Sequence, residues 1–382
     1  MKNNDVKIVV RIDVRHHFGF TTLIGISRFA LSRGWSLILE QVDVNDTKRM
    51  DWTGKGIDGV IVQCIDPVDT ALADLEMPVV NITKMCAEHF HTICVDDFTV
   101  GRLGAEHLSS LPLKHFAFLG QPGRKYSLGR EEGFVAGLRD AGHSCHRFGS
   151  WSTRENISWL MTLPKPVGLM LSNDLGAASL LRACAANHFD VRQQVAIVGV
   201  DNETHICEYT QPTLSSVDIQ AERIGYEACV TLEAMLKGES VPWLRHLSPA
   251  GVVVRESTFL EDIDPRIAEA MRLIRQHAAQ WSGVEDLLTH VPMSRRTLER
   301  HFHKVLGRTP QEEIQRVRLD EACRLLRMTS LPIEEVAQKS GFTSASWFGK
   351  VMRTALGETP SGYRRKAQGT GMSVGNGAGE VQ

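Results

Sequence analysis

From Val6 to Val200, short apolar runs alternate with segments long enough for helices. VKIVVRI (6–12), WSLILEQ (35–41), DGVIVQC (58–64), PVVNI (78–82) and HTICVDD (91–97) read as strands, as do KHFAFLG (114–120), VGLMLS (167–172) and QVAIVGV (194–200). Near-continuous apolar strands separated by helical stretches indicate parallel sheets covered on both faces. The strands are too many for one comfortable doubly wound sheet, so two α/β lobes of similar size are expected.

At Asp264 the pattern changes from strand to helix. Asp264-Pro265 supplies an N-cap and a proline at the first helical position, and Ile267, Met271, Ile274 and Ala278 form an apolar stripe. Ser282 and Glu285 have capping-box spacing ahead of Val284, Leu287 and Leu288, and Val291-Pro292 should end that short helix. Ser294 can cap the next one, with Leu298, Phe302, Val305 and Leu306 facing inward. Arg295, Arg296, Glu299, Arg300 and His303 then lie on the outer face. Two short helices around a tight turn, the second with an Arg-rich outer face, make a helix-turn-helix.

The unit occurs twice. LGRTP at 306–310 returns as LGETP at 356–360. Ile333, Val336 and Ala337 match Val284, Leu287 and Leu288, while Phe348, Met352 and Leu356 match Leu298, Phe302 and Leu306. One extra residue near Ser340-Gly341-Phe342 accounts for the change of offset. Between the copies, Thr309-Pro310-Gln311-Glu312 is a capping box that starts a helix through about Met328, with Ile314, Val317, Ala322, Leu325 and Leu326 available for packing. A rigid connecting helix would present two recognition helices to successive major-groove turns, about 34 Å apart. After Lys366 the Gly-rich segment 367–382 reads as a disordered tail.

Composition adds one asymmetry. The net charge is −2, yet residues 264–368 carry 18 Lys and Arg against 12 Asp and Glu, leaving residues 1–263 acidic. A basic C-terminal part on an acidic body suits an anionic partner for that domain. The first residues lack a cleavage site and read as a strand, no apolar run is long enough to span a membrane, and eight cysteines lack framework spacing. These features predict a cytoplasmic protein with reduced thiols.

Candidate chemistry in the first 260 residues is sparse. No GxxxxGK[ST] occurs, and no GxGxxG follows a strand. Cys86, His89, His91 and Cys94 have ligand-like spacing, but Cys94 falls inside a strand pattern, so no metal site and no cofactor are expected. Ligands of open α/β lobes bind beyond the carboxyl ends of strands. Those ends carry Arg11 and Asp13, Asp97 (after Asp96), Asn173 and Asp174, and Asp201 and Asn202, with Arg130 starting a helix nearby. Such groups suit the hydroxyls of a sugar, although each acid or amide can also simply cap a helix.

Two resemblances sharpen these expectations. VAQKSGFTSASWFGKVMRTALGETPSGYR resembles the signature of the AraC/XylS-type DNA-binding domain, through Gly341-Phe342, Ser346-Trp347-Phe348, Gly357–Pro360 and Tyr363-Arg364. Trp347, Met352 and Gly349 depart from the usual residues, and Gly349 leaves the second recognition helix with fewer base-reading groups. The likeness implies DNA contact by Ser294, Arg295, Arg296, Glu299, Arg300 and His303 in the first copy, and by Thr343, Ser344, Ser346, Trp347 and Lys350 in the second. SLGREEGFVAGL, SND, VAIVGVDN and LSSVDIQAERIGYEA resemble the effector domain of LacI-type repressors and periplasmic sugar-binding proteins. That likeness implies ligand contact by Arg130, Asn173, Asp201 and Gln220.

The expected architecture is an α/β two-lobed periplasmic-binding-protein-like sensor domain (5–260) followed by an all-α double helix-turn-helix domain (264–366). The arrangement resembles that of bacterial xylose operon regulators. It implies a dimeric, pentose-responsive transcription regulator, an activator working with RNA polymerase, and not an enzyme. The rivals are a sugar-binding transport protein and a DNA-repair methyl acceptor fused to an AraC-type domain. The latter would need an activated cysteine, which only the Cys86 cluster offers.

Overall fold

The computed structural model describes residues 6–42, 52, 55–65, 67–259 and 264–369. The chain forms two compact units, Met1–Asp262 and Ile263–Gln382.

The first unit holds two six-stranded sheets. One contains β1 (Lys7–Ile12), β2 (Ser36–Gln41), β3 (Gly59–Val62), β4 (Val79–Asn81), β5 (His91–Val95) and β11 (Leu244–Leu247), in the order β11-β5-β4-β3-β1-β2. The other contains β6 (His115–Gly120), β7 (His146–Gly149), β8 (Val167–Leu171), β9 (Val195–Val200), β10 (Ser215–Asp218) and β12 (Gly251–Val253), in the order β12-β10-β9-β8-β6-β7. All pairings are parallel except that of β10 with the edge strand β12. Strand periodicity explains the continuous apolar runs. Ile8, Val10 and Ile12 of β1 join one core, with Ile26 and Phe29, while Val9 points the other way to Trp52, Val60 and Val62.

Four strands escape the hydrophobic pattern. β7 and β11 carry polar residues at sheet edges, the edge strand β12 is only three residues long, and β10 begins with two buried serines. Ser215 accepts from Arg255 N and Ser216 donates to Asp174, so side-chain hydrogen bonds replace apolar packing there.

The helices are α1 (His17–Arg33), α2 (Asp97–Ser109), α3 (Lys125–Asp140), α4 (Thr153–Thr162), α5 (Asp174–Ala186), α6 (Val191–Gln194), α7 (Thr204–Cys207) and α8 (Ala221–Leu236). Asp97 therefore opens α2 rather than ending a strand, with Asp96 as the cap that accepts from Phe98 N and Thr99 N. α2 and α3 pack backbone to backbone. A Cβ on Gly101 would lie 2.0 Å from Arg130 O, and one on Gly133 would lie 1.9 Å from Phe98 O. Only glycine permits this approach, and it brings Arg130 of α3 against Asp97 of α2. The chain crosses between lobes at 95–97, 218–221 and 247–251.

The second unit is helical: α9 (Pro265–His277), α10 (Val284–His290), α11 (Arg295–Leu306), α12 (Pro310–Met328), α13 (Ile333–Lys339), α14 (Ala345–Leu356) and α15 (Pro360–Gly369). Asp264 caps α9, Ser294 caps α11, Ser344 caps α14, and Thr309 with Glu312 forms the capping box of α12. Several expectations need correction. Asp286, not Glu285, completes the cap of α10, its carboxylate accepting from Ser282 N, Ser282 Oγ and Gly283 N. Leu356 is 42% exposed and leaves the core that Phe348 and Met352 share. On α12 Arg318 is buried and Val317 is only half-buried. The terminal helix runs to Gly369, past the expected start of the tail at 367, and the rest of that tail lies outside the described residues.

Gly341, in the turn between α13 and α14, has φ +80°, and a Cβ there would meet Ala279 Cα at 2.7 Å. Left-handed backbone and a close approach to the segment after α9 both demand glycine. Arg318 reaches the same segment, donating to Ala278 O and Trp281 O.

Candidate functional site

In the first unit the predicted residues separate into two groups. Arg130, Asp97 and Asp201 come together. Arg130 Nε donates to Asp97 Oδ1 at 3.0 Å and Nη1 to Ser172 O at 2.5 Å, while Nη1 lies 3.5 Å from Asp201 Oδ1. The guanidinium also sits 4.8 Å from the centroid of the Tyr126 ring. Lys84 Nζ adds a second cation 3.9 Å from Asp97 Oδ2. Asn173 caps α5 through its Oδ1 and donates from Nδ2 to Gln121 Oε1, which also accepts from Tyr126 Oη. At the second interlobe crossing, Gln220 has φ +56° and donates from Nε2 to Ser248 O. Its Oε1 is buried and makes no hydrogen bond among the described residues.

Arg11, Asp174 and Asn202 instead have partners within the scaffold. Arg11 is buried in an ion pair with Asp69, at 2.7 Å. Asp174 accepts from Glu203 N, Ser216 Oγ and Cys207 Sγ. Asn202 Oδ1 accepts from Arg255 Nη2. Asp13 holds Arg15 by two side-chain hydrogen bonds, at 2.8 and 2.9 Å, and accepts a third from Gln41.

The charges respond to these surroundings. The Arg15 guanidinium lowers the Asp13 carboxyl to about 2. Burial raises Asp97 against the pull of Arg130. Burial also raises Asp201 and Asp174, and the Asp201 charge pushes Asp174 further.

Sequence reasoning did not single out Arg15, Lys84, Gln121 or Tyr126. Tyr126 lies four residues before Arg130, one helical turn away, a spacing that could have revealed it. Lys84 and Gln121 lie just past the ends of β4 and β6, which the strand-end rule could have reached.

Cys86, His89, His91 and Cys94 do not converge. Cys94 is buried in β5, and His91 bonds Pro242 O and packs on Trp243. Burial raises both thiols, Cys94 to about 12, which is opposite to the activation a methyl acceptor requires.

In the second unit the outer face of α11 exposes Arg295, Arg296, Arg300 and His303, with Glu299 half-buried. Arg295 is held by Glu285 at 2.7 Å and Glu299 at 3.0 Å. Arg296 and Arg300 have no such partner among the described residues. On the second copy Thr343, Ser344, Ser346, Trp347 and Lys350 are exposed, Trp347 by 40%, with Lys350 Nζ 5.7 Å from its ring centroid. Both recognition helices end on a left-handed glycine, Gly307 and Gly357.

Comparisons with known proteins agree with this division. Residues 105–258 match the periplasmic binding protein-like domain, and residues 287–366 match a helix-turn-helix domain. The xylose operon regulatory protein of Escherichia coli (strain K12) is 31% identical over 357 residues, covering 86% of this chain and 89% of that protein. Its Haemophilus influenzae counterpart is 27% identical, covering 86% and 90%. A solved xylose-binding transcription activator superposes with a TM-score of 0.60 at 27% identity, over 96% of this chain and 99% of that one. The lac repressor dimer bound to operator and an anti-inducer shares the fold of 68% of this chain and 96% of its own, at 19% identity and a TM-score of 0.57. Among the described residues no helix is long and apolar enough to cross a membrane. On that identity and coverage, the chain belongs to the family of xylose operon regulatory proteins and is a DNA-binding transcription regulator, with a periplasmic binding protein-like domain ahead of a double helix-turn-helix.

Proposed function

We propose that the first unit binds a small polyhydroxylated effector, a pentose such as the xylose for which its relatives are named, and that occupancy controls a DNA-bound homodimer. The observation that carries this is the buried Arg130 guanidinium, oriented by Asp97 and facing Asp201, with Tyr126 against it. Charged donors and acceptors beside an aromatic ring suit vicinal hydroxyls on one face of a sugar and C–H groups on the other. Asp97, Arg130, Asn173, Asp201 and Gln220 are assigned to ligand contact, with Asp13 acting through Arg15. Arg11, Asp174 and Asn202 are assigned to positioning.

Closure of the lobes around the effector would bias the chain toward one dimer geometry. In the second unit Arg296 and Arg300 are assigned to base edges and Arg295 to phosphate, because its two carboxylate partners already fix it. The other exposed residues of the two recognition faces, Ser294, His303, Thr343, Ser344, Ser346, Trp347 and Lys350, complete the interface, and Glu299 orients Arg295. The output is activation of a pentose catabolic operon through RNA polymerase, in the cytoplasm and without enzymatic turnover.

The test is a thermal-shift panel of pentoses and hexoses on the full chain. A pentose should raise Tm for the wild type and not for Asp201→Asn. If no sugar stabilises the wild type, the effector reading fails, whatever the DNA result.

A further inference from the structure

Apart from the residues assigned to the effector, three side chains from opposite lobes meet in a set that no part of the proposed effector chemistry uses. His17 is the first residue of α1, in the first lobe, while Glu203 caps α7 in the second and His205 lies within it. One ligand atom from each lies within 4.8 Å of the others. His205 Nε2 is 3.0 Å from Glu203 Oε1, and the two imidazole rings lie with centroids 5.2 Å apart and planes tilted by 57°. Thr21 Oγ1, one turn along α1, lies 3.1 Å from His17 Nε2 and steadies that ring.

We infer that His17, Glu203 and His205 form a binding site for a divalent transition-metal ion, zinc by preference, which bridges the two lobes. Two imidazoles and one carboxylate are a complete protein ligand set for tetrahedral zinc with one open position. At zinc bond lengths of about 2.1 Å, tetrahedral neighbours stand roughly 3.4 Å apart, so the observed spacing closes with side-chain movement alone. Three hard carboxylates would favour magnesium or calcium, whereas imidazole selects zinc, copper or nickel.

Because one ligand comes from α1 and two from the 203–205 segment, binding ties the lobes together.

The test uses the untagged full chain, stripped of metal and without sugar, so it does not depend on the effector reading. Cobalt(II) is titrated by visible absorption and zinc by competition against it. One equivalent should bind with the intense bands of a tetrahedral site, and zinc should displace it and raise Tm. His205→Gln alters an exposed ring and threatens folding little. It should weaken binding at least about tenfold, as should His17→Gln, while His146→Gln, elsewhere on the second lobe, should change nothing. Loss with His17→Gln as well as with His205→Gln, in variants whose metal-free Tm matches the wild type, shows that the site spans both lobes. If His17→Gln does not fold, the His205→Gln titration decides. The inference is overturned if the wild type takes up no zinc at stoichiometric concentrations, or if His205→Gln binds as the wild type does.

Discussion

The two helix-turn-helix copies share a plan but differ in what supports them and what they present. The first, α10 and α11, packs against α9 and α12. The second, α13 and α14, builds its core with the later part of α12, from Leu319 to Leu326, and with Tyr363 of α15. α12 thus serves both; Arg318 ties α12, and Gly341 the second copy, to the segment after α9. The outer faces diverge further. α11 exposes Arg295, Arg296 and Arg300, whereas α14 exposes Ser346, Trp347, Lys350 and Arg353. On the proposed function, duplicated cores with unequal faces suit a first copy that reads sequence and a second that mainly fixes register.

Substituting the matched core phenylalanines tests the shared plan. Phe302→Ala and Phe348→Ala, both fully buried, should each cost about 3–5 kcal/mol in chemical denaturation of the full chain. A large cost for one alone would mean the copies are not equivalent units. The unequal faces come next. Arg296→Ala or Arg300→Ala should weaken operator binding by about 1–3 kcal/mol and relax specificity, measured by titration on matched and mismatched duplexes. Lys350→Ala should weaken all sequences alike and lower the salt slope by about one. Equal loss of specificity from both helices would remove the distinction.

The shared helix gives a smaller effect. Thr309→Ala removes one half of the capping box and should cost about 1 kcal/mol of stability. Leu356→Ala tests where the internal repeat stops being a structural repeat. Exposed as it is, it should change stability by less than about 0.5 kcal/mol, and less than Leu306→Ala at the half-buried matching position.

Legibility in the sequence followed the range of the interaction concerned. Seven of the eight apolar strands were readable because burial on both faces leaves a continuous hydrophobic run, while the edge strand β2 was readable although Ile38 and Leu39 are exposed. β10 was not, since its buried Ser215 and Ser216 are satisfied by residues about forty positions away. Capping at Asp264, Ser294 and Thr309 was readable because the donor lies two or three residues on. The cap of α10 misled, since Ser282 has Glu285 at capping-box spacing and Asp286 one residue further.

The candidate cleft divides along the same line. That acids, amides and arginines collect beyond strand ends was visible in the sequence. Which of them remain available was not, because Arg11 is taken by Asp69 and Asn202 by Arg255, partners 58 and 53 positions away. Arg130 reaches Asp97 only because Gly101 and Gly133 let two helix backbones touch.

By itself, then, the sequence determined the kinds and order of elements, the change of architecture at Asp264 and the duplicated motif. These rest on hydrophobic period and on hydrogen bonds spanning a few residues, which any short window contains. The tertiary structure alone decided which charges meet, which are spent within the scaffold, and that His17 faces Glu203 and His205 across the lobes. Such pairings are set by how sheets and helices pack, and no local spacing encodes them.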